Sequence, residues 1–328
     1  MAKPQKTKAD LALELTETVM KDVIARSGYL LEKRVATLLR KSGYKVDSNR
    51  GFVDSETSKS REYDVYAYKE IEVYGAGSNG VYPTLICECK NNPFPVVFFA
   101  QEEETFKPLQ DEVRSSGIPC KIWKHNKYIS IQELTGVLTF HHYCAPKVPV
   151  ATQYCNFAKK KDDSEWEALH SDESNDIFRT LAKTLEQEIN ADFNNMKQWF
   201  VPEEMEKEFI DLSFYYPVLI LQGDIYSAHI GEGEGHNSLN FKKCNHVQYN
   251  PEFYSIDDNE VISYHIDIIT EKFLPDYIKL VEAEMSTIKS VLQQQKQSVL
   301  RSIDKIVTEI SSLETKPTNY RKHLEYKF

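Results

Sequence analysis

The 328 residues are 41% hydrophobic and 27% charged, an ordinary globular composition in a chain long enough to bury a sizeable core. No apolar run reaches the ~20 residues of a membrane helix, and the basic start leads into an amphipathic stretch rather than a signal core, so neither membrane nor secretion is expected. The net charge is −10, split between +2 over residues 1–100 and −12 over the rest; this argues against broad coating of nucleic acid but leaves a locally built site open.

In chain order, Leu11, Leu15, Val19 and Val23 recur at helical spacing and predict a helix over 9–25. A second is expected over 28–42, with Ser27 as N-cap, Gly43 as its stop and Leu31, Val35, Leu38 and Leu39 as its apolar stripe. YKV (44–46) reads as a short strand and the polar stretch 47–60 as a loop. REYDVYAYKEIEVYG (61–75) alternates as a strand does, placing Tyr63, Val65 and Ala67 on one face. GAGSNG (75–80) marks a turn, VYPTLICECK (81–90) is the next strand, and NNPFP stops it. Short strands are expected near 118–123 and 150–157, and a long helix over 164–200. YYPVLILQGDIYSAHI (215–230) and VISYHIDIIT (261–270) are β-rich and bracket GEGEG (231–235), which reads as a hairpin turn. LPDYIKLVEAEM opens a C-terminal helix reaching about residue 313, where Val299, Ile303, Ile306, Ile310 and Leu313 are expected to pack on the body, with dimerisation or a partner protein as the alternative use.

Six cysteines, at 87, 89, 120, 144, 155 and 244, form no disulfide framework, which suits a reducing cytoplasm. HHYC (141–144) with Cys155 has no zinc-ligand spacing and reads as core or loop, as do Cys244 and His246. The stretch with chemistry in it is LICECKNN (85–92). On a strand, Leu85, Cys87 and Cys89 share one face while Glu88 and Lys90 share the other, so a packing face backs a carboxylate beside an amine. Glu-x-Lys alone carries little, since it recurs at Glu314–Lys316 and Glu325–Lys327 in a polar tail. Here, however, the tripeptide closes an apolar strand, Asp64 stands on the preceding strand, and Glu32 on the helix before that.

Taken in order, GYLLEKRVATLLRKSGYKV, REYDV and ECK resemble the Mrr-type pattern of the PD-(D/E)XK, or restriction-endonuclease-like, nuclease superfamily, with Tyr63 where the name-giving proline would stand. The resemblance covers roughly residues 27–100. It implies an α/β fold with a mixed central sheet flanked by helices. The organisation expected is an N-terminal helix (1–26), the catalytic motifs (27–100), an elaboration with a long helix (101–210), a β-rich segment completing or extending the sheet (211–281), and a C-terminal helix and tail (282–328). It also implies a metal-dependent nuclease acting on nucleic acid, DNA above all, in restriction, phage defence or repair. Asp64, Glu88, the Cys89 backbone carbonyl and Glu32 would hold Mg²⁺, for which Mn²⁺ could substitute, and Lys90 would face the attacking water or the scissile phosphate. The alternative is a non-catalytic module that binds nucleic acid or assembles with partners on the same fold. A solvent-exposed cross-strand pair is the plainest reading of Glu88 and Lys90 taken alone.

Overall fold

A computed structural model describes residues 15–53, 59–75, 79–100, 109, 112–119, 121–160, 165–170, 176–199, 210–231, 238–255 and 260–313. Helix α1 (Glu17–Arg26) starts where the Thr16 side chain accepts the Val19 N–H. It ends where Ser27 Oγ donates to the Ile24 carbonyl, so Ser27 closes this helix instead of opening the next. Gly28 takes the N-cap position of α2 (Tyr29–Lys41), whose Leu31, Val35 and Leu39 are buried, and Gly43 follows at φ +86°. The apolar stripe of α1 is not buried: Leu15, Val19 and Val23 are exposed, and Leu11 lies outside the described residues.

The polar stretch expected as a loop is largely strand. β1 (Lys45–Val53) pairs antiparallel with β2 (Ser60–Tyr68) as the outermost strand of the sheet, where most of its side chains meet solvent and polar residues are tolerated. After the short β3 (Ile71–Glu72) come β4 (Asn79–Lys90) and β5 (Val96–Ala100). β6 (Ser115–Ile118) joins the same sheet, while β7 (Lys121–Lys124) and β8 (Lys127–Ser130) form a separate hairpin before α3 (Ile131–Thr135). β9 (Val150–Lys159) pairs with β10 (Trp166–His170), a strand where a helix was expected. The long helix α4 starts at Asp176 and ends at Trp199.

β11 (Ile210–Leu221) and β12 (Ile225–Ile230) are followed by β13 (Leu239–Cys244), β14 (His246–Tyr249), the small β15 (Glu252–Ser255) and β16 (Glu260–Ser263) pair, and β17 (Ile266–Thr270). The expected C-terminal helix is two, α5 (Leu274–Gln294) and α6 (Lys296–Leu313), parted at Gln295. Val299 and Ile303 of α6 are buried against the body as expected; the side chains of Ile306, Ile310 and Leu313 lie outside the described residues, as does all of the expected GEGEG turn (231–235) beyond Gly231.

The result is a mixed α/β protein built on one large sheet, in the order β1-β2-β4-β11-β17-β14-β9-β5-β12-β13. Helices α2 and α5 cover one face, sharing a core with Val65, Ala67, Leu85 and Cys87, while α6 packs on β7 of the separate hairpin. Helix α4 covers the other, packing on Tyr66, Ile86 and Leu219. Its centre is the parallel pair β4 and β11, in register from Ile210↔Asn79 to Leu221↔Lys90 and buried on both faces, which is why both strands read as long apolar runs. Their continuations β5 and β12 also pair in parallel, so the two chains leave the ladder side by side, at 91–95 and 222–224. Gln222 donates its N–H to the Lys90 carbonyl (3.1 Å), and Val96 donates to that of Asp224 (3.0 Å). Glycine is needed at Gly223, because an added Cβ would lie 2.6 Å from the Asn92 carbonyl oxygen.

A closed set of buried charges fastens α5 to this sheet. His142 Nδ1 lies 2.8 Å from Glu284 Oε1, and the His142 main-chain N–H donates to the same oxygen at 2.6 Å. His142 Nε2 lies 2.9 Å from Asp267 Oδ2, an atom that also accepts from Tyr143 (2.9 Å) and Tyr277 (2.6 Å). His246 Nε2 meets Asp267 Oδ1 at 2.7 Å, and the Tyr216 hydroxyl donates to Glu284 Oε2 at 3.2 Å. Burial disfavours charge on His142, but the carboxylates at its two nitrogens outweigh that and raise its pKa to about 10. The neighbouring His141 is lowered to about 4, chiefly by burial, with Glu284 opposing.

The two histidines set opposite slopes around their ordinary value near 6.5. The stability His142 contributes is full below pH 6.5 and lost as pH rises through about 10. That of neutral His141 is present above 6.5 and lost as pH falls through about 4. Chemical denaturation of His142→Gln should therefore show a loss of about 3–5 kcal/mol near pH 6, the magnitude for breaking a buried ion pair, and a smaller loss at pH 10. An equal loss at both values would remove the imidazolium from the account.

Candidate active site

Strand β4 supplies two of the expected residues. Glu88 is buried on the α4 side of the sheet, and Lys90, two positions on, places Nζ 3.4 Å from Glu88 Oε2 with its side chain 42% exposed. Asp64 arrives from β2. The β2–β4 ladder runs from Tyr68↔Thr84 to Val65↔Cys87, so Asp64 stands one step beyond it, level with Glu88. There its Oδ2 accepts the N–H of Cys89 at 2.7 Å, a side chain replacing the ladder. Tyr63, on the far side of this irregularity, does not share a face with Val65 and Ala67 as expected. Tyr63 packs with Phe52 and Tyr66 on the α4 side, and its hydroxyl donates to Glu188 at 2.8 Å.

Glu32 comes from the first turn of α2. A Cβ on Gly28 would stand 3.0 Å from Glu32 Oε1 and 3.7 Å from the Cys89 carbonyl oxygen, so the missing side chain at 28 leaves room for a carboxylate beside that carbonyl. The four expected oxygen donors and Lys90 thus stand at one end of the sheet, drawn from a helix and two strands.

Their electrostatics follow from crowding. The Glu88 carboxyl is raised to about 7, first by burial and then by Asp64, with Lys90 opposing. Asp64 is also raised, by burial, against the pull of the Cys89 N–H and Lys90. Glu32 is raised by burial and then by Asp64. Three half-desolvated carboxylates facing one amine are short of positive charge, and oxygen donors of this kind suit a hard divalent cation. The fit is one of chemistry more than of closure: among the described residues, the three-donor group whose ligand atoms all lie within 4.8 Å is His141, His142 and Glu284.

That second group is less open to a metal. Both nitrogens of His142 face carboxylates, and hydrogen bonds already occupy both oxygens of Glu284. His141 Nε2 remains without a hydrogen bond, 3.6 Å from Glu284 Oε2. Sequence spacing showed His141 and His142 but not their partners, because Asp267 and Glu284 lie more than a hundred residues away.

A supporting layer also went unseen in the sequence. Arg34 of α2 holds Glu271 through Nε (2.5 Å) and Nη2 (2.8 Å), and Nη2 reaches Gln222 Oε1 at 3.3 Å. Gln222 in turn donates its N–H to the Lys90 carbonyl. The helix that presents Glu32 is thus tied to the strand ends that present Lys90. Comparison of the chain with protein-family models, with curated proteins and with solved structures returned no match.

Two outcomes are expected. Gly28→Ala should leave the thermal midpoint almost unchanged, because the displaced atom is the end of a flexible side chain, yet weaken divalent-metal binding at least several-fold by calorimetry. Unchanged metal affinity would remove Glu32 from the site. The proton on Glu88 gives stability that is present below its ordinary value of 4.5 and lost as pH rises through about 7. A divalent cation held by Glu88 would have to displace that proton, so Mg²⁺ bound there would raise the melting temperature more at pH 8 than at pH 6, and not at all in Asp64→Asn.

Proposed function

We propose that the protein is a metal-dependent nuclease that hydrolyses phosphodiester bonds, with DNA as its substrate. The observation carrying this reading is the meeting of Asp64, Glu88, Lys90, Glu32 and the Cys89 carbonyl at the end of β4, in the motif order of the PD-(D/E)XK resemblance. Mg²⁺ bound to Asp64, Glu88 and the Cys89 carbonyl would neutralise the phosphate and lower the pKa of a water. The chain's own groups account for the rest. Lys90 projects from the buried carboxylates towards solvent, where its amine can meet a phosphate oxygen and orient the incoming water. Glu32 stands beside the Cys89 carbonyl, able to accept a proton from a water held there. The Asp64–Cys89 hydrogen bond fixes the spacing between β2 and β4, and with it the distance between the two carboxylates.

The hydrogen bond from Cys89 to Asp64 also suits a purely architectural role, which favours as second reading a non-catalytic nucleic-acid-binding form of the same fold. Plasmid and single-strand cleavage with Mg²⁺ or Mn²⁺ separates the two. Wild type should cut, whereas Lys90→Ala and Asp64→Ala should lose at least 10²-fold in rate while melting normally, the scale of removing one preorganised electrostatic group. Equal residual cutting by all three would expose a contaminant. Metal-independent, salt-sensitive DNA binding that survives Asp64→Ala, without cleavage, would install the second reading.

A further inference from the structure

Where β4 and β11 leave the ladder, the sheet opens into a cavity of about 220 Å³ under the start of α4. Its inner wall is aromatic: Phe98 and Tyr154 lie with ring centroids 5.7 Å apart and planes 28° from parallel, and Phe178 meets Tyr154 edge-on at 5.0 Å. Its rim is polar, formed by Lys90, Asn92 and Asn156, with Asn92 Nδ2 3.5 Å from Asn156 Oδ1. In the β4–β11 register, Leu219 stands beside Glu88 and Leu221 beside Lys90, and both leucines line the cavity. The cavity and Glu88 therefore share one face of the sheet, with Lys90 at the cavity's rim.

We propose that this cavity receives a single unstacked nucleobase next to the phosphate that Lys90 faces, so that the preferred substrate carries an unpaired nucleotide: a single strand, a bulge or a flipped base. The inference rests on the nuclease reading and narrows its substrate. The cavity, about 220 Å³, has room for one flat ring system. The chemistry of the walls matches such a ring. Aromatic and aliphatic side chains accept a π-face irrespective of sequence, and carboxamides such as Asn92 and Asn156 offer both donors and acceptors to a base edge. An amine at the same rim meets the phosphate joined to that base. A base pulled from a duplex loses stacking and pairing, so a base already unpaired enters at lower cost.

The test uses the full chain with Ca²⁺ in place of Mg²⁺, and oligonucleotides carrying 2-aminopurine either in a bulge or in a perfect duplex. Ile177→Trp, on the half-buried first turn of α4, plugs the mouth, and Asn156→Ala removes one rim amide. Wild type should bind the bulged oligonucleotide at least tenfold more tightly than the duplex, with a change in 2-aminopurine emission. Both variants, melting normally, should lose the preference while keeping duplex affinity. Equal affinity for the two substrates, a preference unaffected in either variant, or no binding at all would overturn the proposal. Cleavage of paired DNA with Mg²⁺ by wild type and Ile177→Trp alike would overturn it and leave the nuclease reading standing. Pocket-dependent binding without cleavage under any metal would sustain the base pocket and remove the nuclease reading.

Discussion

The parallel pairing of β4 with β11 is the constraint on which the rest of the molecule is arranged. Twelve residues of each strand are in register and most of them are buried, on both faces, so a one-residue slip would turn every side chain to the wrong side. A pair locked this way must end somewhere, and both strands end together because Gly223 lets one turn rest against the Asn92 carbonyl of the other. In open α/β sheets, the carboxyl ends of parallel strands are where ligands bind, since the diverging chain leaves a crevice there. Here the crevice holds Glu88 and Lys90 on one strand and is floored by Leu219 and Leu221 on the other.

Charge then positions the helices around that crevice. Only one placement of α5 lets Glu284 accept from both His142 groups and from Tyr216 while Tyr277 reaches Asp267. Displacing it would leave buried polar groups unsatisfied, at about 1–3 kcal/mol each. Glu271, just after β17, is the next link: it holds Arg34, and Arg34 fixes the helix whose first turn carries Glu32. A buried network with no contact to the crevice thereby helps determine where one of its carboxylates stands.

Residue pattern exposed the local part of this arrangement and concealed the distant part. The stripe of α2, the apolar run of β4 and the alternation that puts Cys87 and Cys89 opposite Glu88 are short-range periodicities, and they hold in the structure. Asp64, Glu88, Lys90 and Glu32 could be named because they follow the motif order of a family resemblance that fits within a short stretch of the chain. The polar β1 could not be recognised as a strand, since a solvent-facing outer strand shows no apolar alternation. Tyr63 changes face where the pairing of β1 with β2 skips Asp64 and Asn49, the latter at φ +55°, an irregularity that residue spacing does not show. The partners of His142 and the twin breaks at 91–95 and 222–224 join segments that only the folded chain brings together.

The charge distribution gives the proposed chemistry a consistent logic. Beyond residue 100 the chain carries a net −12, and the site itself presents three carboxylates to one lysine. Such a surface repels a polyanion at long range, so phosphate attraction alone would bring nucleic acid to it poorly. A divalent cation at the carboxylates would change the sign of the field where a phosphate would sit and offset the Asp64 repulsion that adds to burial in raising Glu88. Metal would then govern substrate capture as well as chemistry, and an apolar pocket for an unpaired base would add binding that does not depend on net charge. An acidic protein with a small, metal-gated and base-gripping site can act on nucleic acid without adhering to all of it.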